Sequence, residues 1–173
     1  MERLRLIILL LLINLVGKSQ ALVNPFILAT TEVGGLVTIE AFDGKAGNSQ
    51  TSHTLNGVPA GTLLVVATNS AWCASADATI SSSPSLTWTK RVDAYSGCGN
   101  SEIWTAVYTG GGSITITSNW GSTYQSSVAY QVKNQEATLG GNTATGLSQD
   151  DANVNITTTK ANSIIICSSV DWD

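Results

Sequence analysis

Strand-length runs of β-branched and aromatic residues recur along this chain, each closed by a cluster of Gly, Asn, Ser or Pro. No stretch places apolar residues at helical spacing. The runs span residues 36–42, 61–68, 86–95, 102–109, 113–120, 126–133, 154–158 and 163–172, with weaker ones at 25–30 and 78–81. Several alternate. Leu86, Trp88, Val92 and Ala94 share one parity, with Thr87, Thr89, Arg91 and Asp93 on the other, so one face is wet. Ile114 and Ile116 point inward between Ser113, Thr115 and Thr117. By contrast Leu63, Leu64, Val65, Val66 and Ala67 are apolar on both faces, as are Ile164, Ile165 and Ile166. Those two runs are expected to be central strands covered on both sides. Residues 97–100 and 110–112 read as hairpin turns between neighbouring strands. Many short strands separated by turns predict an all-β, antiparallel β-sandwich, either jelly-roll or immunoglobulin-like. The last run ends at Trp172-Asp173 without a closing turn, which leads us to expect further strands downstream and an incomplete domain.

The amino terminus follows a different pattern. Arg3 and Arg5 precede an apolar run over residues 6–17 that only Asn14 interrupts, and Ser19 and Ala21 sit at minus three and minus one of a cleavage point. The run is little more than half of the roughly 20 residues a membrane span needs. We therefore expect a signal peptide at residues 1–21, a single domain at 22–173, and a product that is secreted, extracellular or at the cell surface. No stable membrane insertion is expected after cleavage.

Charge narrows the partners. Charged residues make up 12% of the chain and the net charge is −4, so the clustered Lys and Arg that nucleic acid demands are missing. Ser, Thr, Gly and Asn form the expected surface. Of the three cysteines, Cys73 and Cys98 are expected to pair in an oxidising compartment, because the strand directions bring both to one end of the sandwich. Such a loop closure contributes about 3–4 kcal/mol in the chain-entropy picture. Cys167 falls inside the last apolar run and is expected to be a buried thiol.

The order of Gly61-Thr-Leu-Leu-Val-Val, Leu86-Thr-Trp-Thr-Lys-Arg-Val, Ser101-Glu-Ile-Trp-Thr-Ala, Ser113-Ile-Thr-Ile-Thr and Ser127-Val-Ala-Tyr-Gln-Val resembles a recurrent β-sandwich module of secreted bacterial surface and phage-associated proteins, adhesin-like and often of unassigned function. The resemblance covers residues 37–173. It implies an adhesive or structural surface role with glycan contact, and it carries no catalytic residues across.

Candidate chemistry is sparse. His53 is the one histidine, lies in a polar stretch, and is expected in a solvent-exposed loop. No Gly-x-Ser-x-Gly turn accompanies it. Zinc has no ligand set to draw on. The acidic turns at 43–48 and 149–153 do not match a calcium loop. The carboxylates, Glu40, Asp43, Asp77, Asp93 and Glu102 among them, are scattered, and only convergence of a pair in a cleft would point to glycoside hydrolysis. Neither enzyme activity nor a cofactor or metal is expected. The aromatic residues are better candidates, because sugar rings stack their apolar faces on exposed Trp and Tyr. Trp88 has core parity. Trp72, Tyr95, Trp120 and Tyr124 are the candidate glycan-binding residues. Residues 155–157 form a glycosylation acceptor triplet. The expected function is a secreted structural or adhesive surface module contacting glycans or other surface proteins, with a carbohydrate-binding module as the alternative.

Overall fold

The run Leu63–Ala67 has no polar residue to turn toward water, so a strand built from it needs apolar cover on both faces. The computed structural model describes residues 20–28, 38–47, 50–71, 76–96, 99–121, 124–134, 146–148, 155–156 and 163–172, and among them there are eleven strands and no helix. These are β1 (Gln20–Leu28), β2 (Thr38–Gly47), β3 (Gln50–Val58), β4 (Thr62–Ser70), β5 (Thr79–Ser83), β6 (Thr89–Ser96), β7 (Gly99–Tyr108), β8 (Gly112–Asn119), β9 (Gln125–Lys133), β10 (Gly146–Ser148) and β11 (Ile164–Trp172). Every pairing is antiparallel. The fold is an antiparallel β-sandwich.

A five-stranded sheet in the order β2-β9-β4-β7-β6 carries β4 at its centre. One face of it packs on the three-stranded sheet β3-β8-β5 through Leu64, Val66, Ala129 and Tyr108 against Leu55, Val58, Ile114 and Ile116. The opposite face presents Leu63, Val65, Ala67, Val92, Ile103 and Val132, and Ile164 and Ile166 of the sheet β10-β1-β11 lie against it. Alternation along β4 thus feeds two separate cores. No helix of the described residues is long and apolar enough to cross a membrane.

Four expectations change. Residues 110–112 do not form a hairpin, because β7 and β8 belong to different sheets. The chain arches over the Tyr108 ring, whose hydroxyl donates to the carbonyls of Gly111 (3.3 Å) and Ser113 (3.4 Å). A Cβ at Gly110 would lie 3.0 Å from that ring, which would have to shift to admit it, and Gly112 has φ +105°, a conformation that favours glycine. The strand expected at 163–172 exists but lies at a sheet edge, with Ile165 45% exposed, rather than at a centre. β3 was hidden in the sequence because its inward residues, Thr51, His53 and Leu55, are mostly polar. At 154–158, Asn155 and Ile156 carry no strand, and the rest of that run lies outside the described residues.

The signal segment at residues 1–19 also lies outside the described residues, as do Cys73 and Cys98. β6 runs parallel to β4, and the register Ser70↔Asn100 with Ser96↔Gly99 puts the end of β4 and the β6–β7 connection at one edge of the sheet. Cys167 is on the outward parity of β11 and exposed, not buried as expected, since Ile166 and Ser168 take the inward positions.

Replacing Leu64, fully buried at the centre of β4, by Ala is expected to lower unfolding stability by about 2–5 kcal/mol in urea titrations. Thr115→Ala on the outer face of β8 is expected to stay within about 0.5 kcal/mol of the parent.

Candidate functional site

One row of cross-strand partners closes the end of the five-stranded sheet: Tyr95 opposite Asn100, Asn100 opposite Ser70, and Ser70 opposite Gln125. Three inter-strand steps separate Tyr95 from Gln125 along this row, about 14 Å. Tyr124 precedes Gln125, and its carbonyl accepts from the Ala71 amide at 3.2 Å. Tyr95 is 43% and Tyr124 68% exposed. Two of the four aromatic candidates therefore stand on one end of the sandwich with ring surface in water. Trp72 follows Ala71 and lies outside the described residues. Trp120, expected to face ligand, is buried instead. It is 6% exposed, and its indole Nε1 donates to Thr68 Oγ1 at 2.7 Å, so it plugs the sandwich interior and offers no face for stacking. The Gln125 carboxamide is buried there with no partner among the described residues.

The second feature was not visible in the sequence. Asp77, Asp93 and Glu102 bring carboxylate oxygens within 4.8 Å of one another. Register explains the convergence: Asp93 and Glu102 are direct partners across the β6–β7 pair, and Lys90 faces Trp104 one step further along. The Lys90 ammonium occupies the centre, 2.8 Å from Asp77, 2.7 Å from Asp93 and 3.2 Å from Glu102. It also lies 5.7 Å from the Trp104 ring centroid. Burial pulls the Lys90 amine down, but its three carboxylates outweigh that and hold it above the ordinary lysine value. Glu102 is 1% exposed and accepts from Trp104 Nε1 (2.6 Å) and the Ala78 amide (3.2 Å). Burial raises its pKa to about 7 against the pull of Trp104 and Lys90. Chemically the Lys90 ammonium fills the place a cation would take among the three carboxyls and offsets part of their negative charge.

The third is the histidine. His53 is fully buried on the inward face of β3, contrary to the exposed loop expected for it. Its Nε2 lies 2.6 Å from Ser127 Oγ, which also bonds Thr51 Oγ1 at 2.5 Å. Its Nδ1 lies 3.7 Å from Asp43 Oδ2, beyond hydrogen-bond range. A serine, a histidine and an aspartate are thus aligned, but Ser127 is 1% exposed and its hydroxyl lies inside the sandwich. With Thr68, Ser118 and Trp120 these side chains make the polar end of the sandwich interior. Asp43, read as part of an acidic turn, sits on β2 and is engaged by Lys45 (3.3 Å) and the Thr54 amide (3.3 Å). The acidic turn at 149–153 lies outside the described residues.

Opposite pH dependences follow. Burial, opposed by Asp43 and aided by Lys45, holds His53 below its ordinary 6.5. A depressed histidine contributes its full stability above about pH 6.5 and loses it as pH falls through the lower folded value. Relative to His53→Gln, the parent is expected to lose stability as pH drops below 6.5. Glu102 is raised from 4.5 to about 7, so its contribution is lost as pH rises through that window. Relative to Glu102→Gln, the parent is expected to lose stability on going from pH 4.5 to above 7. Urea unfolding across a pH series reads both differences, and a pH-independent difference in either pair contradicts the corresponding assignment.

No family model, no curated protein and no solved structure matches this chain, so its chemistry has to be read from the side chains themselves.

Proposed function

We propose that the protein is an exported, non-catalytic β-sandwich module that adheres to glycans at or beyond the cell surface through the end carrying Tyr95 and Tyr124. The observation that carries the reading is the placement of these two exposed residues at the same end of the five-stranded sheet, Tyr95 in the closing cross-strand row and Tyr124 next to its last member, Gln125. Two exposed aromatic residues carried on a rigid sheet suit an extended oligosaccharide better than a single sugar, since ordering the platform costs little on binding. Buried Ser127 and lysine-filled carboxylates favour binding over catalysis. Export rests on the amino-terminal pattern and on a surface rich in hydroxyls and amides.

The outer face of β3-β8-β5 is consistent with this role. Its register stacks Gln50, Asn119 and Thr79, then Ser52, Thr117 and Ser81, then Thr54, Thr115 and Ser83, with no charge among them. A face of small neutral side chains tolerates close approach to polysaccharide or neighbouring protein without desolvating ions.

A glycan array probed with the secreted chain, alongside Tyr95→Ala, Tyr124→Ala and Trp72→Ala, tests the proposal. We expect specific binding that falls at least several-fold in Tyr95→Ala or Tyr124→Ala while the fold is retained. A blank array from folded protein, or binding untouched by both tyrosine variants, overturns it.

A further inference from the structure

An open groove of about 460 Å³ runs along β6 and β7 and the segment leading into β6, lined by Leu86, Thr87, Thr89, Arg91, Thr105 and Val107 among others. No acidic residue lines it, although the chain carries net charge −4. Arg91 enters it for a structural reason. The register of β6 on β7 jumps between Lys90↔Trp104 and Val92↔Ile103, which makes Arg91 the extra residue of a β-bulge. Bulges re-aim side chains. Here Val92 still reaches the core while Arg91 stays on the groove face, its Nε donating to Thr105 Oγ1 at 2.8 Å.

That bond fixes the guanidinium plane and leaves its two terminal NH2 groups unpartnered among the described residues. The other described cations behave differently: Lys45 holds Asp43, Lys133 holds Glu40, and Lys90 holds three carboxylates. Arg91 alone among them has no carboxylate. A fixed fork of paired N–H donors fits one planar carboxylate bidentately. The groove around it is lined by Thr87, Thr89 and Thr105 and by Leu86 and Val107, the last 49% exposed. Hydroxyls, an apolar wall and a single carboxylate clamp match one ligand chemistry, a sugar acid within an oligosaccharide. A lone arginine is too little positive charge for a heavily sulfated chain or a polyphosphate, and the volume falls in the range of small-ligand sites.

We propose that this groove binds the carboxylated sugar residue of an acidic oligosaccharide, with Arg91 clamping the carboxylate and Thr105 positioning Arg91. This site is separate from the tyrosine-bearing end and stands whether or not that end binds glycan.

Calorimetric titration of the secreted chain with a galacturonic acid trisaccharide, and with the neutral galactose trisaccharide, tests it. Binding of the acidic probe and much weaker binding of the neutral one are expected. Arg91→Lys, which keeps the charge but loses the fork, is expected to weaken the acidic probe by about ten- to a hundredfold, and Thr105→Val by a smaller factor. Tyr95→Ala and Tyr124→Ala are expected to leave this titration unchanged, which separates failure here from failure of the adhesive end. The assignment is overturned if the two trisaccharides bind alike, if neither binds, or if Arg91→Lys binds as tightly as the parent with its fold intact by circular dichroism. It is equally overturned if a free peptide carboxy terminus competes on even terms with the sugar acid, since the groove would then read the carboxylate alone.

Discussion

Every side chain of β4 from Thr62 to Thr68 is shielded from water, and nearly all of the architecture answers that constraint. A strand apolar on one face can sit on a single layer. One apolar on both faces needs a partner layer above and another below. Leu64 and Val66 are met by Leu55, Ile114 and Ile116 of one three-stranded sheet, and Leu63 and Val65 by Ile164 and Ile166 of the other. At about 25 cal/mol per Å² these contacts are the main drive for assembling strands that lie far apart in the sequence. β6 and β7 are the only consecutive described strands bonded to each other. The remaining pairings close long loops, a topology that folds slowly but fixes the geometry of both ends.

The polar chemistry is distributed around that core. Toward one end, the interior between the main sheets changes from aliphatic to hydroxyl and imidazole. Thr51, His53, Thr68, Ser118 and Ser127 bond mostly to one another, and Trp120 supplies the indole N–H. Apart from His53 Nδ1, which has no hydrogen-bond partner among the described residues, these buried groups are paired in a way that specifies one arrangement of the sheets, and breaking a bond exposes the desolvation cost of its partner. At the open edge the Lys90 cluster closes the sandwich beside Trp104. The surfaces proposed to take ligands are the aromatic end and the groove into which the bulge turns Arg91. Both depend on register more than on any loop.

Much of the fold was legible in the sequence because period-two alternation is a local signal. The inward isoleucines of β8 and the two-sided apolar run of β4 gave sheet and centre directly. β3 was missed because His53 and Thr51 look like solvent residues until Ser127, on another sheet, supplies their partner. The arch at 110–112 looked like a hairpin because glycines mark a reversal without saying which sheet the chain enters next. For the site, exposure of Tyr95 followed from strand parity. Trp120 did not, since a tryptophan at a strand end reads the same whether it caps a core or faces water. The carboxylate convergence and the lone Arg91 arise from the β6–β7 register and its bulge, which no residue spacing announces.

The central claim is that β4 is locked from both sides and opens only when the whole sandwich does. Native-state hydrogen exchange of the backbone amides in β4, measured against denaturant, tests it most directly. Leu63, Leu64, Val65 and Val66 are expected to exchange only by global unfolding, with protection matching the total unfolding free energy, while the edge strands β2 and β6 exchange through smaller openings. Amides of β4 that exchange as readily as those of β2, with no dependence on denaturant, would contradict it.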